Sequence, residues 1–179
     1  MGPKSPESTN LIGEICTIAK NAGQIINSFI LGEGQLEYRL KEDMSPVTAA
    51  DEAANSYIVA AITHIKPLMP IIAEESIGSE ESINSEDGPF WLVDPLDGTT
   101  NYAHGYPRFC VSIGVEKDDV REVGVVYDPL LDECYEAVRG NGARLNGRAL
   151  RVSGEADFGA ALVATGFAYD VRRSPEDNL

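Results

Sequence analysis

The sequence predicts an α+β fold in which a pair of helices packs on a large antiparallel sheet. Three observations point there. Two stretches with helical spacing of apolar residues occupy the first third of the chain. From residue 90 onward, short apolar runs follow one another at close intervals. Turn-forming residues, rather than further helices, separate those runs.

The first helix is expected over residues 10–31. Leu11, Ile12, Ile15, Ile18, Ala19, Ala22, Ile25, Ile26, Phe29 and Ile30 recur at intervals of three and four, which places them on one face. Ser8, Thr9 or Asn10 can cap its start and Gly32 can stop it. Leu36, Tyr38 and Leu40 then alternate, a strand signal. In the second helix, Thr48 and Asp51 have the spacing of a capping box, with Asp in place of Glu. Ala54, Tyr57, Ile58, Ala61, Ile62 and Ile65 form its apolar stripe, and Pro67 and Pro70 forbid its continuation.

A short apolar run, "MPIIAEES", ends in two glutamates, and residues 76–89 read as an acidic surface loop. Strands are expected in "CVSIGVE", "EVGVVYD" and "ECYEAVR". "GNGARLNGRAL" supplies turns, and "AALVATGF" reads as one more strand. Residues 1–9 are expected to be a flexible tail.

The bulk numbers narrow the function classes. The chain has 179 residues, 43% of them hydrophobic and 24% charged, enough for one domain with a core. No apolar run approaches the ~18 residues of a membrane span, and "MGPKSPESTN" lacks the apolar centre of a secretory signal. A formal net charge of −15 argues against a nucleic-acid partner. It reflects either plain solubility or carboxylates that converge on cations. Cys16, Cys110 and Cys134 are widely spaced with no Cys-x-x-Cys, so buried reduced thiols are expected rather than a disulfide framework or a zinc site. A cytoplasmic location follows.

The chemistry concentrates in "WLVDPLDGTTNY", residues 91–102. Asp94 and Asp97 at the end of an apolar strand cannot both ionise at close range without a partner or a cation. Pro95 stiffens the turn between them. The Leu96 carbonyl adds a hard oxygen, and such donors select Mg²⁺, Mn²⁺ or Ca²⁺ over zinc. The spacing does not fit a calcium-binding EF-hand loop, because Leu96 and Gly98 stand where ligands are needed. If a helix begins at Gly98 and Thr99, their N–H groups lack intrahelical partners and favour an anion such as phosphate. Glu74 and Glu75 also follow an apolar run, so two strand ends of one sheet can gather four carboxylates.

Three motifs in this order resemble the inositol monophosphatase family. "WLVDPLDGTTNYAHGYPRFCVSIGV" resembles its first signature, "AEES" its double-acid metal motif and "SPVTAAD" its upstream aspartate motif. "KEDMSPVTAADEAAN" looks more like the bisphosphate-nucleotidase branch. The resemblance covers the chain from about residue 10. It implies the N-terminal part of the layered α/β sandwich of the inositol monophosphatase and fructose-bisphosphatase type, with residues 10–152 an α+β metal-binding domain and residues 153–179 the start of a second α/β half.

The resemblance also implies roles. Glu74, Asp94 and the Leu96 carbonyl would hold one Mg²⁺ (or Mn²⁺), and Asp94 and Asp97 a second. Glu74 and Glu75 would serve a third, weaker ion. Thr99, hydrogen-bonded to Asp51, would orient an attacking water that Glu74 helps to activate. Gly98 and Thr99 N–H groups, with Asp97 beside them, would bind the substrate phosphate. The implied activity is lithium-sensitive, Mg²⁺-dependent hydrolysis of a small phosphorylated metabolite by a homodimer, with inositol monophosphate the first candidate substrate. A 3′(2′),5′-bisphosphate nucleotide or a sugar bisphosphate is the alternative.

The sequence also departs from the family pattern. Relatives are longer and carry a second Trp-Asp motif that supplies another aspartate to the second metal. Here the single tryptophan is Trp91, inside the first motif. A non-catalytic metal-binding fragment is therefore a third reading, and an exposed apolar face is expected where more chain would pack. Lys41 and His104 lie close enough in sequence to these motifs to reach the site. His64 near a helix end suits the helix dipole, and Arg172 and Arg173 are expected to be solvated.

Overall fold

The computed structural model describes residues 6–30, 37–41, 46–66, 68–76 and 88–164. The first helix, α1 (Pro6–Ile30), begins earlier than its apolar spacing indicates. Proline suits the first helical turn, where its missing N–H would have no partner anyway. Ser8, Thr9 and Asn10 thus lie within the helix rather than at its cap, and Gly32 lies outside the described residues. Ile15, Ile18, Ala19, Ala22 and Ile26 are buried, whereas Phe29 and Ile30 at the last turn are exposed.

Strands β1 (Tyr38–Leu40) and β2 (Pro46–Thr48) pair antiparallel. The alternation of Tyr38 and Leu40 does not make a buried face, since both are exposed. Helix α2 (Ala49–Ile65) starts at the expected capping box. The Thr48 hydroxyl accepts from the Ala50 and Asp51 N–H groups, and the Asp51 carboxylate accepts from the Thr48 N–H. Ala50, Ala54, Ile58 and Ile62 face inward. The helix ends before residue 67, which lies outside the described residues.

Next come β3 (Ile71–Ala73) and a single 3₁₀ turn, Glu74–Ser76. Most of the acidic loop expected at 76–89 falls outside the described residues. Strand β4 (Phe90–Asp97) leads into the short helix α3 (Thr99–Ala103). Strands β5 (Cys110–Lys117), β6 (Val120–Asp128) and β7 (Glu133–Val138) form the expected meander. Two short strands, β8 (Gly142–Leu145) and β9 (Arg148–Ala149), extend it through the segment read from sequence as turns alone. Of the strand expected over residues 160–167, the described part is not a strand: residues 158–160 turn and 161–164 have no regular structure, and 165–167 lie outside the described residues. Residues 165–179, including Arg172 and Arg173, lie outside the described residues.

The seven strands form one sheet in the order β3-β4-β5-β6-β7-β8-β9. All neighbours are antiparallel except β3 and β4, which are parallel. Helices α1 and α2 pack on one face of this sheet, over Trp91, Val93, Val111, Ile113, Val115, Val123, Val125, Tyr127 and Cys134. The opposite face is different. Leu92, Gly114, Gly124, Val126, Tyr135 and Ala137 line a trough of about 620 Å³ that no described element fills. Among the described residues, no helix is long and apolar enough to cross a membrane.

Candidate active site

Two features of backbone pairing gather the acidic residues. The first is the parallel register of β3 and β4, which sets Ile71 beside Trp91 and Ala73 beside Val93. The next residues in each strand direction are Glu74 and Asp94, so both carboxylates leave the sheet at the same end. The second is an irregularity in β4. Asp94 pairs with Ser112 and Asp97 with Cys110, three steps against two. In a regular strand, residues three apart point to opposite faces. The extra residue at Pro95–Leu96 resets that parity, and proline at a bulge sacrifices no ladder hydrogen bond.

The electrostatics record the result. Burial, then the charges of Glu74 and Asp97, push the Asp94 carboxyl up to about 8, against the opposing pull of the Leu96 N–H. That N–H donates to Asp94 Oδ1 at 3.1 Å. Glu75 is raised as well, chiefly by burial, with Lys41 opposing the shift. The Lys41 ammonium bridges the double-acid motif, 2.6 Å from Glu75 Oε1 and 3.3 Å from Glu74 Oε1. Burial works against the charge of Lys41, but the two glutamates prevail and raise it. Asp97 is exposed and accepts a 3.6 Å contact from the Cys110 thiol.

The four carboxylates Glu74, Glu75, Asp94 and Asp97 gather at this sheet end without sharing a common centre. Among the described residues, no three Asp, Glu, His or Cys side chains close on a single point as a metal ion would require. The donor chemistry nevertheless fits a divalent cation. A half-buried carboxylate held near neutral by two others is the frustration that a hard cation relieves.

Beside this cluster lies a second, drier unit. Asp51, 1% exposed, accepts hydrogen bonds at both oxygens. Oδ2 takes the Thr48 N–H at 2.8 Å and the Thr48 hydroxyl, and Oδ1 takes the Thr99 hydroxyl at 2.9 Å. Burial raises the Asp51 pKa, and the Thr48 and Thr99 hydrogen bonds offset part of that. The Thr99 hydroxyl also lies 3.0 Å from the Leu96 carbonyl oxygen. Gly98 caps α3 at φ 96°, a left-handed conformation. A side chain there would come within 2.9 Å of the Arg108 carbonyl oxygen, so glycine is required for both reasons. Tyr102 holds α3 in place, donating to the Ile26 carbonyl at 3.0 Å and meeting Phe109 edge-on at 5.1 Å.

Of the residues expected from sequence, Asp51, Glu74, Glu75, Asp94, Leu96, Asp97, Gly98 and Thr99 all lie in this one region. Lys41 lies there too, against the two glutamates. His104 stacks at a tilt on Tyr38, ring centres 5.9 Å apart. His64 sits in the last turn of α2. Two neighbours escaped the sequence reading. Thr48 was read as a cap alone, yet it also anchors the carboxylate that holds Thr99. Cys110 touches Asp97 only because β5 is paired across the bulge, a contact with no local signal.

The comparisons with known proteins agree with this geometry. The pattern of the inositol monophosphatase family matches residues 8–179. Inositol monophosphatase 2 of Solanum lycopersicum is 41% identical over 148 residues, covering 82% of this chain and 55% of its own length. Nus factor SuhB of Pseudomonas aeruginosa is 42% identical over 161 residues, covering 90% of this chain and 58% of its own. The solved inositol monophosphatase of Anabaena (Nostoc) sp. superposes with a TM-score of 0.79 at 37% identity, covering 96% of this chain and 61% of that one. The chain thus spans a little over half the length of these relatives. With the motifs, the sheet order and the family pattern in agreement along its length, the chain belongs to the inositol monophosphatase family.

Proposed function

We propose that this chain carries the metal-binding half of a phosphomonoesterase site that hydrolyses a small phosphorylated metabolite, inositol monophosphate first among the candidates. The observation that carries the proposal is the pairing of β3 with β4. It sets Glu74, Asp94 and Asp97 at one sheet end beside the buried Asp51–Thr99 pair. Glu74, Asp94, Asp97 and the Leu96 carbonyl are the ligands, with Glu75 as a weaker contributor. Mg²⁺ suits such oxygen donors, and Mn²⁺ is the substitute. A divalent ion there supplies charge neutralisation and a more acidic water.

The protein's own groups do the positioning. Asp51 accepts a hydrogen bond from the Thr99 hydroxyl, which leaves the Thr99 oxygen lone pairs free to accept from a water and fix its orientation. The first N–H groups of α3, at Gly98 and Thr99, face the place where phosphate oxygens would lie. In-line hydrolysis of a phosphomonoester needs chiefly this placement and charge stabilisation. Lys41 competes for Glu74 and Glu75 and so tunes how readily the weaker cation binds.

The remaining parts of the reading rest on the family. On the motif resemblance, residues 10–152 are the metal-binding unit. A cytoplasmic, lithium-sensitive homodimer is part of the same reading and rests on the motif resemblance alone. A second reading, a metal-binding chain with little turnover, is favoured by the single tryptophan, Trp91, which leaves no second Trp-Asp to complete the second metal's ligands.

The test is calorimetric titration with Mg²⁺ together with phosphate release from inositol 1-phosphate. One site binding more tightly than a second is expected, with slow, Mg²⁺-dependent release that Asp94→Asn abolishes. Release unaffected by a chelator, or absence of Mg²⁺ binding in the folded chain, would overturn the proposal. Tight binding with no release would favour the second reading.

A further inference from the structure

Asn-Gly occurs twice in this chain, at either end of β8: Asn141-Gly142 and Asn146-Gly147. The dipeptide is the same at both places, but the surroundings of the side-chain amide differ. Asn146 is locked. Its Oδ1 accepts from the Cys134 N–H at 2.9 Å, and its Nδ2 donates to the Asp132 carbonyl at 2.9 Å. Its own N–H donates to the Cys134 carbonyl at 2.9 Å. The amide thus ties the β8–β9 turn to the start of β7. Asn141 is exposed, and among the described residues its side chain has no hydrogen-bond partner. Its backbone N–H donates to the Val138 carbonyl at 2.8 Å and closes the β7–β8 turn. Gly142, next in the chain, has φ 74° and nothing within 4 Å of the place a Cβ would take.

We infer that Asn141 is a site of spontaneous deamidation, converted in the folded chain to aspartate and isoaspartate, while Asn146 is protected. The reading is independent of the phosphatase proposal. The slow step needs the asparagine Cγ poised over the nitrogen of the following residue. Glycine in that place favours attack, because no Cβ screens its N–H. A free carboxamide rotates into position. One held at both its oxygen and its nitrogen must first break both bonds.

The steps balance. The Gly142 nitrogen gives up its proton to water and attacks the Asn141 Cγ. A new N–Cγ bond closes a cyclic imide, the Cγ–Nδ2 bond breaks, and ammonia leaves with the proton returned by water. A water molecule then opens the imide. Attack at Cγ gives aspartate; attack at the backbone carbonyl gives isoaspartate, in which the chain runs through the side-chain carbons. The net change consumes one water and releases one ammonia. Asn141 lines, with Ile12, Glu136 and Arg144, a pocket of about 90 Å³ between α1 and the β7–β8 hairpin. Deamidation therefore adds a second carboxylate to the residues lining that pocket, in a chain whose net charge is already −15. Isoaspartate also inserts a backbone carbon next to the Val138–Gly142 pair that begins the β7–β8 ladder.

The experiment incubates the full chain in neutral buffer below its unfolding transition. Samples taken over days are digested and mapped by mass spectrometry, with a zero-time sample as control. The mass change of amide to acid marks deamidation, and enzymatic methyl esterification of the freed α-carboxylate counts isoaspartate. A parallel incubation in guanidinium chloride is the unfolded reference, in which both Asn-Gly pairs should react at comparable rates. In the folded chain Asn141 should react about tenfold or more faster than Asn146, the factor set by two hydrogen bonds that must break. Asn141→Gln, an exposed change, should remove the fast-forming product and leave Asn146 as it was. Equal rates at the two sites of the folded chain, or a faster one at Asn146, would overturn the proposal. So would a folded chain in which Asn141 stays intact while both sites react in denaturant.

Discussion

Asp94 occupies a place where a carboxylate resists ionisation. Burial and the charges of Glu74 and Asp97 raise it from 3.8 to about 8 in the folded protein. The unfolded chain lets the same group ionise near 3.8. Between those two values the unfolded state has released a proton that the folded state retains. Stability of the metal-free protein therefore falls as pH rises through that window, and this contribution is constant outside it. Urea unfolding in a chelator, repeated across the window, should show that decline in wild type and a flatter profile in Asp94→Asn. An identical slope in the two proteins would remove Asp94 as its source. The residue types at this site were legible from sequence because two aspartates flanking a proline are a local pattern. The strength of the coupling was not, since it depends on Glu74, twenty positions away.

At the scale of elements, helix α1 approaches the sheet most closely at Gly23. A side chain built there would lie 2.6 Å from Tyr127 Cε1 and 2.8 Å from Pro129 Cβ. The Tyr127 ring is buried and its hydroxyl donates to Asp132 Oδ1 at 3.1 Å, so it has little freedom to yield. Gly23→Ala should destabilise by roughly 1–2 kcal/mol, overpacking exceeding the gain in helix propensity. Gly13, in the same helix with nothing within 4 Å, is the control, and Gly13→Ala should stabilise by up to about 1 kcal/mol. Chemical denaturation of the two variants checks the contrast in sign. A stabilised Gly23→Ala would mean that α1 does not sit against Tyr127.

The same scale explains what sequence reading found and missed. The start of α2 was legible because a capping box is local. The hairpin between β8 and β9 carried a local signal that went unread. Asn146 and Gly147 both have positive φ, 48° and 77°, and Asn-Gly between two strands marks a tight hairpin. The neighbouring glycines made the segment look like turns throughout. The parallel pairing of β3 with β4 had no local signal, because β3 is three residues long and its partner lies beyond the acidic loop. The strand read at 160–167 had apolar composition, but its described residues, 161–164, are exposed and have no regular structure.

For the molecule as a whole, the uncovered face of the sheet is the dominant feature. The expected apolar face is there. Val126 and Tyr135, paired across β6 and β7, are 40% and 39% exposed, and Gly114, Gly124 and Ala137 beside them keep the trough open to a neighbour's side chains. The trough reaches Glu74 and Asp94 at one end, so whatever covers the face also rims the candidate site. No described element of the chain covers it, so it is open to another copy. Apolar attraction favours association, while the net charge of −15 opposes it through repulsion that salt screens. The balance predicts concentration-dependent association that strengthens with ionic strength, the reverse of a contact held by ion pairs. Sedimentation across a salt series measures it. Val126→Lys with Tyr135→Lys should keep the chain monomeric at high salt without altering its circular dichroism. A wild-type chain that remains monomeric at high salt would show that this face, although apolar, does not drive self-association.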